Sequence, residues 1–197
     1  MSQRIERDFV FDTAIHFGNT FYLNQYSMTL SMLIETTNIV EQNIALERIQ
    51  YFIATHIHGC LFIDETNKDA IAKYKDAGIS VCVLPDEPHD QIVSMVLLQK
   101  FNAITEGRIV VTDLILGSTF SDGVRFHTVS EVAEDIIDHS PGLWWNCSTL
   151  CIAHTIASSG SDEKIVKLFS EDAWEKLDMG FYKKKGKTTS TKIDQFT

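Results

Sequence analysis

The feature that most constrains the fold is a pair of neighbouring segments in which apolar residues recur at every second position. In the first segment these residues are Phe9, Phe11, Ile15 and Phe17. In the second segment they are Tyr26, Met28, Leu30, Met32 and Ile34. Gly18 and Asn19 lie between the segments and are typical turn residues. The pattern predicts an antiparallel hairpin with one face buried, and therefore a β-sheet.

Helix and strand signals then alternate along the chain. Asn38 with Glu41 resembles a capping box, which predicts a helix that extends to about His58, with Gly59 as its left-handed cap. A short apolar strand at 60–63, a helix that begins at Thr66 and a strand at 79–84 follow. Because a short helix joins them, the two strands are expected to be parallel and connected by a right-handed crossover.

The second half of the chain predicts another helix and another hairpin. Pro88 fits the first turn of a long apolar helix, a central strand follows at 109–116, and the turn at 121–123 leads into a strand at 124–129. The fold class is therefore α/β, with α+β as the alternative: a single domain with a mixed sheet, two hairpins, a central crossover and packed helices. We expect this domain to span 1–156, an amphipathic helix at 157–180 to pack on it, and 181–197 to form a basic, mobile tail.

Composition excludes several classes of protein. The chain has 197 residues, of which 44% are hydrophobic and 22% charged, as is ordinary for a globular protein. Its net charge of -10 argues against a broad nucleic-acid surface. The exception is the tail, where a nucleic-acid contact would use Lys183, Lys184, Lys185 and Lys187. No apolar run reaches the roughly 18 residues of a membrane span, and no signal-type core follows the charged N-terminus, so we expect a soluble, cytoplasmic protein with no membrane partner.

Several suggestive motifs have plain structural interpretations. Cys60 and Cys82 lie in apolar runs, where a thiol behaves as a small buried hydrophobe. His56 and His58 are two residues apart at a helix end and diverge by roughly 200°, so they are not expected to share a metal ion. The adjacent tryptophans at 144–145 are expected to close the core rather than to stack on a ligand. No glycine-rich phosphate loop or nucleophile elbow is present in the sequence.

Acidic residues follow both predicted parallel strands, at the edge of a sheet where ligands tend to bind. Their carboxylates could hold Mg²⁺ or Mn²⁺, and His89 could act as an acid or base. The candidate metal ligands are Asp64, Asp86, Glu87 and Asp90. Helix capping is the alternative explanation, and Asp86 or Glu87 ahead of Pro88 fits it without any metal.

Two hypotheses about function follow. Because no strong catalytic motif is present, the first is a non-catalytic interaction or assembly protein that self-associates through an edge of the two hairpins, as a homo-oligomer. The second is a divalent-metal-dependent enzyme that acts on a phosphate ester or a nucleic acid through the acidic junction.

Overall fold

The computed structural model describes residues 3–34, 37–131, 133, 143–152 and 174, and these form a mixed α/β domain. Its six-stranded sheet has the strand order β4–β3–β1–β2–β5–β6. The strands are β1 (Gln3–Phe17), β2 (Thr20–Ile34), β3 (Leu61–Asp64), β4 (Val81–Leu84), β5 (Val110–Ser118) and β6 (Arg125–Val129). The helices of the described residues are α1 (Ile39–Phe52), α2 (Lys68–Asp76) and α3 (Asp90–Thr105), with a π-helical turn at Ile53–Ile57 and a 3₁₀ turn at Trp144–Asn146.

The mixed sheet and both hairpins are confirmed. β1 pairs with β2 in antiparallel register over the full length of both strands, and β5 pairs in the same sense with β6. β3 and β4 are parallel neighbours joined through α2, as predicted from the short helix between them. The first hairpin is longer than predicted and lies in the middle of the sheet, because β2 also pairs with β5 and β1 also pairs with β3.

The helices divide between the two faces of the sheet. α1 and α3 pack on one face and enclose the main core, whose largest buried side chains include Phe11, Tyr26, Phe52, Phe62, Phe101 and Trp144. α2 covers the other face, where Ile71 packs on Ile63 and Val83 in a smaller cluster. β3 and β4 are thus buried on both faces, which explains why their sequences are continuously apolar.

Two helices begin later than predicted. Thr66 does not cap α2, because its amide and its hydroxyl both donate to Asp64; the N-cap residue is Asn67, whose side chain makes no capping bond. α3 begins at Asp90 with His89 as N-cap, so Pro88 precedes the helix instead of lying in its first turn. The predicted start of α2 at Thr66, and the capping role expected for Asp86 or Glu87 ahead of Pro88, were therefore wrong.

Other local predictions hold. Gly59 and Gly78 have the expected left-handed conformations at helix ends, although the last turn before Gly59 is π-helical. Cys60, Cys82 and both adjacent tryptophans are buried. No helix in the described part of the chain is long and apolar enough to cross a membrane.

Most of the C-terminal predictions lie outside the described residues. The basic tail and most of the segment 157–180 belong to this group. Trp174 is described: it is buried, its Nε1 donates to the carbonyl of Ser148 at 2.7 Å, and the Arg48 guanidinium lies over its ring. The proposed domain boundaries remain predictions.

Candidate functional site

The acidic residues that follow β3 and those that follow β4 emerge at the same end of these strands, because Asp64 at the end of β3 lies opposite Leu84 at the end of β4. Asp64 itself is engaged locally. Its side chain accepts hydrogen bonds from the Thr66 amide at 2.8 Å and from the Thr66 hydroxyl at 2.7 Å. Both bonds shape the turn between β3 and α2, which is the structural role that aspartate often plays in such turns.

The next junction is more exposed. Asp86 accepts a hydrogen bond from the Glu87 amide at 2.8 Å, and the Glu87 carboxylate lies 3.5 Å from Nε2 of His89. The His89 ring packs edge-on against Phe17, with ring centroids 4.9 Å apart. These three residues line the surface of the loop between β4 and α3.

Asp90 is buried, with 4% of its surface exposed, and ties the first turn of α3 to the end of β5. Its carboxylate accepts hydrogen bonds from the hydroxyls of Ser118 and Ser121. Burial, followed by the nearby charge of Asp90, raises the pKa of Tyr26 above its ordinary range. Burial and the charge of Asp90 both oppose ionisation of the Tyr26 hydroxyl, which would add a second negative charge at this end of the core.

The candidate ligands do not form one cluster. Within the part of the chain that the structure describes, no group of three or more histidine, cysteine, aspartate or glutamate side chains is placed to hold a metal ion. The metal roles of Asp64, Asp86, Glu87 and Asp90, and the acid or base role of His89, remain predictions.

The paired histidines have separate partners. His58 accepts a hydrogen bond from the Asp12 amide through Nδ1, at 3.2 Å. His56 stacks on Phe52, and burial together with the charge of Lys100 lowers its pKa. His58 thus links the end of the π-helical turn to β1, whereas His56 packs against α1 itself.

The edges of the sheet differ in how their backbone groups are used, and β4 has a covered edge. Its residue Val83 donates its amide to the carbonyl of Ile152 at 3.0 Å. The Val83 carbonyl accepts a hydrogen bond from Nε1 of Trp144 at 2.6 Å. Residues 144–152, here named the edge segment, therefore satisfy both backbone groups of Val83 at this edge.

A buried lysine holds the edge segment in place. The Lys100 ammonium donates to the carbonyls of Trp144 at 2.8 Å, Cys147 at 2.8 Å and Thr149 at 2.6 Å. Burial lowers the pKa of Lys100 to about 8. The burial of Lys100 was not predicted, although a signal is present in the sequence: Lys100 lies three positions after Leu97 and seven after Val93, on the apolar stripe of α3.

β6 is the last strand at the opposite side of the sheet, and its outer backbone groups can be identified. The Thr119 amide donates to the carbonyl of Gln25, so odd-numbered residues of β5 face β2 and even-numbered ones face β6. Leu114 and Leu116 then pair with the inward-facing residues of β6. The outward-facing residues are Arg125, His127 and Val129. Their backbone groups form no hydrogen bond with any other described residue, and this row is named the β6 open edge.

β1 carries a second such row. The Ala14 amide donates to the carbonyl of Cys60 at 2.9 Å and the Asp12 amide donates to His58, so even-numbered residues point away from β2. The residues of β1 that pair with β3 are Ala14 and Ile15. The β1 open edge is the row Arg4, Glu6, Asp8 and Val10, whose backbone groups make no hydrogen bond within the described residues.

Comparison with known proteins gives no family. No protein-family model matches the sequence, and no curated protein matches it. An uncharacterised protein, WS1659, from Wolinella succinogenes is similar in structure, with 10% identity and a TM-score of 0.48, over 66% of this chain and 98% of that one. Two catalytic-residue mutants of 6-pyruvoyltetrahydropterin synthase from Plasmodium vivax match with 9% identity and a TM-score of 0.43, over 65% of this chain and 97% of that one. At these TM-scores the likenesses carry no argument about this chain.

Proposed function

We infer that this protein is an assembly protein, in which the β6 open edge of one copy pairs with the β1 open edge of a second copy. The observation that carries this proposal is the presence of two rows of outward-facing backbone groups on strands of opposite direction. Strand edges with unpaired amides and carbonyls are templates for adding another strand. Because β6 and β1 run in opposite directions within the sheet, the added strand would continue it in antiparallel order.

Side-chain charge favours one register. Outward-facing residues of a strand carry their side chains on one face of the sheet, so residues opposite each other across the new ladder would be in contact. If His127 lies opposite Glu6 of the second copy, then Arg125 lies opposite Asp8 of the second copy. The second pair joins groups of opposite sign, and the first places an imidazole within reach of a carboxylate that can accept its N–H. Opposite charges at such positions each contribute roughly 0.2 to 1 kcal/mol.

This pairing uses two different surfaces of each copy. Such a head-to-tail contact forms a ring when the rotation between copies closes, and a filament when it does not. A two-fold contact of β1 with β1, or of β6 with β6, would leave one open edge exposed on each copy. The head-to-tail arrangement leaves none in a closed ring, which removes the tendency of open edges to aggregate.

Proline substitutions test the proposal at the level of single backbone amides. Glu6→Pro removes an outward-facing amide from β1, and His127→Pro removes the amide that lies opposite it in the proposed register, on β6. The matched controls Glu6→Ala and His127→Ala lose the same side chains and keep the amides. In sedimentation velocity over a concentration series we expect the parent and both alanine variants to associate, and both proline variants to lose association.

Charge exchange tests the register. Asp8→Arg or Arg125→Glu alone places like charges opposite each other and should weaken association, whereas the double variant restores an opposite pair and should recover it. Failure of the double variant to recover would reject this register. A parent that sediments as a monomer up to its highest soluble concentration would reject edge assembly altogether.

The divalent-metal enzyme remains the second hypothesis, and no cluster of side chains within the described ranges favours it. Its test is thermal unfolding in the presence of Mg²⁺ or Mn²⁺, with Asp86→Ala as the comparison. A specific site should raise the midpoint of the parent and not that of the variant. The absence of a shift with either ion would remove this hypothesis.

A further inference from the structure

Four aromatic side chains form a row across the end of the sheet at which the first hairpin turns. The His89 ring packs edge-on against Phe17, with centroids 4.9 Å apart. The Phe17 and Phe120 centroids are 6.0 Å apart, and those of Phe120 and Tyr22 are 5.5 Å apart. These residues, here named the aromatic row, come from both sides of the hairpin turn, from the N-cap of α3 and from the turn after β5. Three separate segments therefore hold the rings in place.

The aromatic row is open to solvent. The exposed fraction is 43% for Tyr22 and 46% for Phe120, and the His89 side chain is exposed as well. Contiguous apolar surface of this kind commonly marks an interaction site on a soluble protein. Tyrosine and phenylalanine are enriched where partners bind, because their rings supply a large contact area with little conformational freedom to lose.

The charges around the aromatic row are acidic. The segments that carry it, 17–23, 86–90 and 118–124, contain acidic residues but no lysine or arginine. Asp90 is buried, whereas Asp86, Glu87 and Asp122 are wholly or partly exposed. The Glu87 carboxylate lies 3.5 Å from Nε2 of His89, at one end of the row. This surface disfavours the phosphates of nucleic acids and anionic lipids, and it complements a partner that carries arginine or lysine.

A proline-rich segment has the shape that such a row accepts. Its polyproline II helix is extended and preformed, so it loses little conformational entropy when it binds an aromatic-lined surface. The backbone carbonyls of that helix are not bonded internally and can accept hydrogen bonds. The Tyr22 hydroxyl, which forms no hydrogen bond with another described residue, can donate one.

We propose that the aromatic row is the docking surface for a proline-rich segment of a partner protein that carries arginine or lysine. The prolines lie on the rings of Phe17, Phe120 and Tyr22, and a basic side chain lies at Glu87. The row includes no residue of the β1 or β6 open edge. This proposal therefore stands or fails separately from the assembly proposal.

Fluorescence anisotropy of labelled peptides with the full-length parent protein tests the class of partner. The probe is Arg-Pro-Pro repeated three times. One comparison peptide has serine in place of every proline, and the other has glutamate in place of every arginine. We expect saturable binding of the probe with a Kd of about 1 mM or lower, and binding about tenfold weaker or more for both comparison peptides. No saturable binding of the probe, or equal binding of either comparison peptide, would overturn the proposal.

Matched substitutions locate the peptide on the protein. Tyr22→Ala combined with Phe120→Ala removes two rings of the row and should weaken binding by about tenfold or more. Phe21→Ala removes an exposed ring that is next to Tyr22 in β2 but on the opposite face of the sheet, and should leave binding unchanged. The conservative surface variant Glu87→Gln should weaken binding by about threefold. Equal weakening by Phe21→Ala, or full binding by the double variant, would overturn the proposal.

The same variants distinguish a peptide surface from a lipid surface. We expect the parent protein to remain in the supernatant when phosphatidylcholine vesicles are sedimented. Sedimentation of the parent with the vesicles, lost in the variant that combines Tyr22→Ala with Phe120→Ala, would assign the row to a membrane surface and would overturn the proposal.

Discussion

The covered edge of β4 and the open edge of β6 lie at opposite sides of one sheet and are treated differently. At β4, both backbone groups of Val83 are hydrogen-bonded to the edge segment, which Lys100 holds through three carbonyls. At β6, the outward-facing groups make no hydrogen bond within the described residues. Because an unpaired strand edge can accept another strand, this contrast is the basis of the proposal that the β6 edge pairs with a second copy.

The largest effect is expected from removing the support of the covered edge. Lys100→Met keeps most of the side-chain volume but leaves the carbonyls of Trp144, Cys147 and Thr149 without their donor. We expect the free energy of unfolding to fall by about 3 kcal/mol, as measured by chemical denaturation. The control Lys73→Met, at an exposed lysine, should change it by less than about 0.5 kcal/mol. A Lys100→Met variant as stable as the parent would show that the edge segment needs no such support.

The pH dependence of this support follows from the shifted pKa. In the folded protein Lys100 has a pKa lowered from 10.5 to about 8, so between these values the unfolded chain binds the additional proton. The stability that depends on Lys100 therefore rises with pH across this window and is constant below it. The difference in unfolding free energy between the parent and Lys100→Met should be larger at pH 9.5 than at pH 7. A difference that shrinks with pH would contradict the lowered pKa.

A smaller effect is expected from Trp144→Phe. The substitution keeps an aromatic ring in the core but removes the hydrogen bond from Nε1 to the Val83 carbonyl. The lost bond and the small cavity should lower the unfolding free energy by about 2 kcal/mol. Amide hydrogen exchange locates the change: the Val83 amide should exchange faster, while the Ala14 amide, bonded to Cys60 elsewhere in the sheet, should not. Unchanged exchange at Val83 would show that Trp144 does not protect this edge.

Local elements were predictable because their signals are local. Period-two alternation locates the first hairpin, and the turn at 121–123 locates the second. Gly59 and Gly78 mark two helix ends, with φ angles of +76° and +77°. The parallel pairing of β3 with β4 follows from the short helix between them. The order of the strands was not predictable, because nothing in the sequence of β1 indicates that β3 pairs with it, or that the pairing uses Ala14 and Ile15.

The candidate site residues likewise divide into those that the sequence shows and those whose roles depend on the tertiary fold. The acidic residues are visible in the sequence, but whether Asp64 binds Thr66 or a metal depends on the turn that forms around it. His16 lies at an even position of β1, on the face where exposed residues were expected. It is buried because Tyr74 of α2 covers it, which depends on which face of the sheet the crossover helix occupies.

The smallest change in stability is expected at the open edge. The Val10 amide faces away from β2 and Val10 is 67% exposed, so Val10→Pro removes no ladder hydrogen bond and should lower the unfolding free energy by about 1 kcal/mol or less. Phe9→Pro removes an amide that faces β2 and should cost about 3 kcal/mol or more. Equal losses in the two variants, measured by denaturation at a concentration where both are monomeric, would mean that the assigned backbone directions are wrong.

Sedimentation velocity of an equimolar mixture of Glu6→Pro and His127→Pro tests head-to-tail assembly most directly. Each variant alone lacks one of the two open edges and should remain monomeric. In the mixture, the intact β6 edge of Glu6→Pro can pair with the intact β1 edge of His127→Pro, so a dimer should form that does not grow further. A mixture that stays monomeric while the parent associates, or association of either proline variant alone, would contradict pairing between these two edges.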